Sequence, residues 1–176
     1  MFSLATDRLM LRVFNTSDAA FVLQLLNEPG WLRYIGDRNV RNEADAVDWI
    51  QTKPLTHQEK MGYSFYVVCL SGTGEAIGIC GLIKRDALDH TDIGYAFLDR
   101  YHGQGYALEA ARAVMRHART DLRLPALAAI TLAENDTSNR LLTKLGFIRK
   151  GVVTLQEGEQ ENLLWHYDFP TDGAEL

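Results

Sequence analysis

The chain has 176 residues, 47% of them hydrophobic, and 18 Lys+Arg against 23 Asp+Glu give a net charge of −5. That length holds one sizeable core and is short for two, so a single domain over 1–176 is expected, with 171–176 as a loose tail. The acidic balance without a basic stripe argues against a nucleic-acid binder, and no apolar run reaches the roughly 18 residues a membrane span needs. The start "MFSLATDRLMLR" lacks a basic stretch followed by an apolar one, so a cytoplasmic location is expected.

"DRLMLRVF" (7–14) alternates at Leu9, Leu11 and Val13 and predicts a first strand. "NTSDAAFVLQLLNEPG" predicts a helix capped by Thr16 or Ser17, with Asp18 in its first turn and a stop near Asn27–Pro29–Gly30. A second helix is expected over 41–54, capped by Asn42 and ended before Pro54. "GYSFYVVCL" (62–70) and "AIGICGLIKRD" (76–86), joined by the turn cluster "SGTGE", predict a hairpin. Its two cysteines, Cys69 and Cys80, are too few for a disulfide framework and read as small buried apolar residues.

"TDIGYAFL" (91–98) predicts the next strand, and from Tyr106 the period changes. Ala107, Ala110, Ala111, Val114 and Ala118 then form an apolar helical stripe, with Glu109, Arg112, Arg116 and Arg119 on the other face. A buried strand (124–133), a short helix (135–147) closed by Gly146 and a final hairpin around "EGEQ" complete the chain. The fold class is therefore α+β (mixed α/β): one domain with a mostly antiparallel, twisted central sheet flanked by helices.

The junction "FLDRYHGQGYALEA" joins a strand to a helix through two glycines. Helix N-termini carry unsatisfied N–H groups and partial positive charge, and glycine lets an anion approach the backbone closely. Gly103, Gln104, Gly105, Tyr106, Ala107 and Leu108 would offer such amides. The turn is no P-loop, because no Gly-Lys-Ser/Thr follows, and no dinucleotide fingerprint, because Leu108 stands where a third glycine is needed.

With these residues the sequence resembles the Gcn5-related N-acetyltransferases (GNAT), and more narrowly their RimJ/RimL-like subgroup. The resemblance covers nearly the whole chain. It begins at "TDRLMLRVFNTSDAAFVLQLLNEPGWLRYIG", peaks at "DIGYAFLDRYHGQGYALEA" and returns in "ENDTSNRLLTKLGF". The family's Q/R-x-x-G-x-G/A motif falls on His102 to Ala107, with Gly105 and Ala107 matching and His102 departing at the first position.

The resemblance implies acetyl-CoA as co-substrate, no metal, and an amine acceptor that is a protein N-terminus or a small molecule. A homodimer is common among relatives. Backbone groups of Ala96, Phe97 and Leu98 are expected to pair with the pantetheine arm, amides of Gly103 to Leu108 to hold the pyrophosphate, and Asn135 to bond the pantetheine region. Trp31 and Tyr34 are expected to line the acceptor slot.

Thioester aminolysis needs a neutral amine, a stabilised oxyanion and a proton for the leaving thiolate. Many relatives carry a tyrosine acid at the position of Leu142, which is absent here. Ser138, in "N-x-x-S", is the alternative donor the subgroup implies, and Asp92, at the head of the motif strand, is the first candidate for the base. The missing tyrosine and His102 also leave open a non-catalytic acyl-CoA-binding module of the same fold. No His/Cys spacing indicates a metal site.

Overall fold

A computed structural model describes residues 2–171. The expectation of a loose tail falls, beyond residue 171, outside the described residues.

One eight-stranded sheet runs in the order β1-β2-β3-β4-β5-β6-β8-β7. Its strands are β1 (Ser3–Ala5), β2 (Leu9–Arg12), β3 (Phe65–Leu70), β4 (Ala76–Ile83), β5 (Asp92–Phe97), β6 (Ala126–Thr131), β7 (Ile148–Val153) and β8 (Asn162–Asp168). Every pairing is antiparallel except β5–β6. The mixed sheet and single domain agree with the expected fold class.

The helices form two layers. α1 (Ala19–Leu25), α2 (Pro29–Tyr34), α3 (Glu43–Ile50) and α4 (Thr56–Met61) belong to the first half of the chain; α5 (Tyr106–Thr120) and α6 (Asp136–Leu145) follow the motif strand. Val22, Leu25, Ala46 and Ile50 pack with Val67, Ile79 and Leu98 on one face of the sheet. Ala110, Ala111, Val114 and Leu142 pack with Val68, Ile93, Phe97 and Leu127 on the other. The alanine stripe brings α5 close to the strands, as its sequence period predicts.

The early elements differ from expectation for local reasons. The chain pairs Ser3–Ala5 with the first predicted strand through a tight connection, adding β1. Asn15, not Thr16 or Ser17, caps the first helical segment in a reciprocal capping box with Asp18. Pro29 opens α2 rather than only ending α1, since proline at a first helical position loses no intrahelical bond. Pro54 does not end the following helix either. A π-helical stretch, Gln51–Leu55, absorbs it, and helix continues into α4. Asn42 caps α3 as expected. Cys69 and Cys80 are buried and free.

Candidate active site

β5 and β6 run parallel, yet their register holds one pair, Asp92 with Ala128. Beyond it the strands diverge. Backbone direction along β5 follows from two bonds: Leu98 N–H donates to the Ile77 carbonyl on β4, and the Thr91 carbonyl accepts from Ala128 N–H on β6. Because N–H and C=O groups alternate sides along a strand, even-numbered residues of β5 face β4 and odd-numbered ones face the gap. Tyr95 and Phe97 therefore present backbone groups to the gap. Ala96 is paired with Ile79 on β4, and Leu98 gives its N–H to the Ile77 carbonyl while its own carbonyl accepts from Tyr101 N–H, so of the three residues expected to serve an incoming arm Phe97 is the one that faces the gap.

His102 is the residue least explained by the family motif. Its ring Nε2 donates to the Phe97 carbonyl at 2.8 Å. It thus ties the strand end to the glycine turn and occupies one of the gap-facing acceptors.

The turn itself is shaped for close approach. Gly103 and Gly105 have φ of +73° and +82°, a region side chains disfavour, and Gly105 caps α5. The first helical bond runs from Glu109 N–H to the Gly105 carbonyl, so the amides of Tyr106, Ala107 and Leu108 have no intrahelical acceptor. Gln104 turns back, its side-chain amide donating to the Arg100 carbonyl.

A brace missed from sequence fixes this turn. Arg8 donates to the Gln104 carbonyl at 3.0 Å and to Glu109 at 2.7 Å, while Thr6 also donates to Glu109. The Arg8 guanidinium lies 4.4 Å from the Tyr106 ring centre. Glu109, on the helix face opposite the apolar stripe, is the anchor that ties the start of β2 to α5. Only tertiary contact reveals this, because the partners lie about a hundred residues apart.

Asp92 and Ser138 sit at the two faces of the gap. Side chains alternate along β5, so Asp92, Gly94 and Ala96 face the α1–α3 layer, and Ile93, Tyr95 and Phe97 face α5 and α6. Asp92 is 3% exposed. One carboxylate oxygen accepts from Arg85 at 2.8 Å and the other is buried without a partner. Burial raises its pKa to about 6, against the opposing effect of the Arg85 cation.

Two further charges converge near Arg85. Arg38, on the α2–α3 connection, has its pKa lowered first by burial of its charged end and then by Arg85, with Glu159 of the β7–β8 connection opposing; the residue as a whole is nonetheless exposed. On the same sheet face, Asp92, Ala128 and His166 lie in one lateral row. A cleft of about 360 Å³ beside them is lined by Leu88, His90, Ala128, Leu164 and His166, among others.

On the opposite face, the Ser138 hydroxyl lies 2.8 Å from the Tyr95 hydroxyl, which reaches across the gap from β5. Ser138 is thus bound to more than its own helix. Asn135 caps α6 by accepting from Ser138 N–H, which leaves its side-chain NH2 group outside the cap. α6 is pinned to the sheet by a buried chain in which Trp165 Nε1 donates to Thr131 Oγ1 at 2.9 Å and Thr131 donates to Asn139 at 2.6 Å. Leu142 is 1% exposed in the core.

The expected acceptor-slot residues part company. Trp31 is 7% exposed, packs in the α1–α3 core and donates its indole N–H to the Gly36 carbonyl. Its indole lies in the core of that layer rather than at the surface. Tyr34 is half-buried, with the Arg33 guanidinium 5.0 Å from its ring centre.

A parallel pair thus parts beside an amide-rich helix start, the arrangement that the GNAT resemblance leads one to expect. The family model of the acetyltransferase (GNAT) domain matches residues 8–148, and the chain belongs to that family. It is an acyltransferase. Among its relatives, the N-acetyltransferase YoaA of Bacillus subtilis (strain 168), itself named as uncharacterized, is 32% identical over 85% of each chain. An acetyltransferase structure from Agrobacterium tumefaciens str. C58 superposes with a TM-score of 0.81 at 22% identity, over 96% of this chain and 95% of that one. RimL, a ribosomal L7/L12 α-N-protein acetyltransferase solved with coenzyme A, gives 0.80 at 19% identity, over 95% and 98% of the two chains. At these identities the two structures show the shared fold.

Proposed function

We propose that the protein transfers the acetyl group of acetyl-CoA to a primary amine, either a protein N-terminal α-amine or a small-molecule amine, by direct attack on the thioester. The carrying observation is the β5–β6 splay, whose Tyr95–Phe97 edge has no strand partner beyond Asp92 and runs into the amide turn Gly103–Leu108, with the Phe97 carbonyl held by His102. An amide-bearing arm would add to that edge as a short strand, and the pyrophosphate would meet the helix start. The side-chain NH2 of Asn135 would reach the arm from the α6 side. GNAT membership supports acetyl-CoA as donor, and RimL, which shares the fold, was solved in complex with coenzyme A.

The chemistry divides by sheet face. The amine approaches from the α1–α3 face, where Asp92 and its unpartnered oxygen wait. A carboxylate with a pKa near 6 is a weak base toward a free ammonium group, but it readily takes the proton that becomes acidic as the C–N bond forms. An α-amine, with a reference pKa of about 8, is already partly neutral near pH 7. From the α5–α6 face, Ser138 donates a proton to the sulfur as the C–S bond breaks. The Tyr95 or Phe97 backbone N–H, facing the gap, is placed to polarise the carbonyl.

A panel of primary amines, including N-terminal peptides, with a free-thiol readout tests the function. Amine-dependent release of CoA is expected. Acetyl-CoA binding without amine-dependent release from any acceptor would overturn it.

A further inference from the structure

Resting on this reading, we propose that Tyr95 is a positioning residue for the proton donor Ser138, setting the direction in which the serine hydroxyl points. Sequence reading assigned Tyr95 no role, since its strand alternates as core strands do. In the fold it is the only β5 side chain found bonded to α6 among the described residues, with its hydroxyl 2.8 Å from Ser138 Oγ and 3.4 Å from the Ser138 carbonyl.

The direction of that bond decides what Ser138 can do. A hydroxyl has one proton, and if Ser138 spent it on Tyr95 nothing would remain for the sulfur. A phenol is a far stronger acid than an aliphatic alcohol, so the phenol is the natural donor of the pair. Burial raises the Tyr95 pKa further, which keeps the phenol protonated throughout the working range. With Tyr95 donating, Ser138 Oγ is an acceptor on that side and its own proton is left to aim into the gap. Among the described residues, Ser138 Oγ has no bond to a carbonyl of its own helix, the usual alternative for a helical serine.

The groups facing Tyr95 are consistent with a neutral donor. Cys80, from β4, is buried and held well above the usual thiol range, and Asp92 lies on the other side of the sheet. The proton balance closes with Tyr95 acting only as hydrogen-bond donor. The attacking nitrogen loses one proton to Asp92, sulfur keeps the electron pair of the C–S bond and gains the Ser138 proton while Ser138 Oγ takes one from solvent in the same step, and Asp92 returns its proton to solvent as CoA leaves.

The test is a double-mutant cycle on the best amine of the panel, with Tyr95→Phe, Ser138→Ala and the pair together. Tyr95→Phe keeps the ring and its packing, so thermal stability and KM for acetyl-CoA should stay near wild type while kcat falls roughly tenfold, the worth of one hydrogen bond realised in the transition state. The double variant should be no slower than Ser138→Ala alone. Wild-type kcat in Tyr95→Phe, or additive losses in the pair, would overturn the inference while leaving acetyl transfer intact. Absence of turnover with every amine would instead overturn the proposed function, and this inference with it.

Discussion

At Asp92, burial and an ion pair pull in opposite directions, and burial wins: the pKa rises from 3.8 to about 6. Two consequences follow from the sign. The carboxylate is the form that accepts a proton, so kcat/KM expressed per neutral amine should climb with pH through about 6 and level above it, and Asp92→Asn should abolish that limb along with most of the rate. A flat acid limb in the wild-type enzyme would remove Asp92 from the base role. Folding gives the opposite trend. An acid whose folded pKa lies above its unfolded value favours the native state when protonated, so its contribution declines as pH rises from about 4 to 6. Asp92→Asn should flatten the stability profile in that window, measured by denaturant midpoints at each pH. Asp92 and Ser138 entered as candidates through the family resemblance, at the head of the motif strand and in the N-x-x-S of the later helix. Tyr95 was not, because a strand tyrosine has the same sequence pattern whether its hydroxyl is buried idly or bonded to a neighbour.

At the scale of elements, the helix start depends on a brace from β2. Glu109 accepts from Thr6, from Arg8 N–H and from the Arg8 side chain, and Arg8 in turn holds the Gln104 carbonyl. Glu109→Ala should loosen the turn and raise KM for acetyl-CoA several-fold with little change in kcat, as steady-state kinetics would read. An unchanged KM would mean the turn holds its shape without the brace. α6 offers a second check. Leu142 occupies the position where many relatives carry a tyrosine, but it is packed against the sheet. Leu142→Tyr should therefore overpack the core and cost about 1–3 kcal/mol of stability rather than raise the rate. Elements with strong periodicity, such as α5 and the β3–β4 hairpin, were readable from sequence. The π-helical passage over Pro54 and the extra strand β1 were not, because tertiary packing compensates the lost bond in one and supplies the partner strand in the other.

Across the whole molecule, the sheet serves as a partition. β3, β4 and β5 carry the α1–α3 layer on one face, α5 and α6 cover the other, and the partition opens where β5 leaves β6 after Asp92. The order of elements foretold a mostly antiparallel sheet, and the parallel pair follows from the α5 crossover. The splay itself depends on how far two strands stay in register, which alternation in the sequence does not encode. Alternation did not fix which backbone groups face the gap either; that took the bonds at Thr91 and Leu98. The central claim is that the acyl donor lies along this edge. Residue-resolved amide hydrogen exchange, with and without acetyl-CoA, tests it most directly. Protection should rise at Tyr95, Phe97 and the amides from Gly103 to Leu108, while Ala96 and Leu98, already bonded to β4, should change little. Protection that appears elsewhere and leaves Tyr95, Phe97 and the glycine turn unchanged would contradict the account.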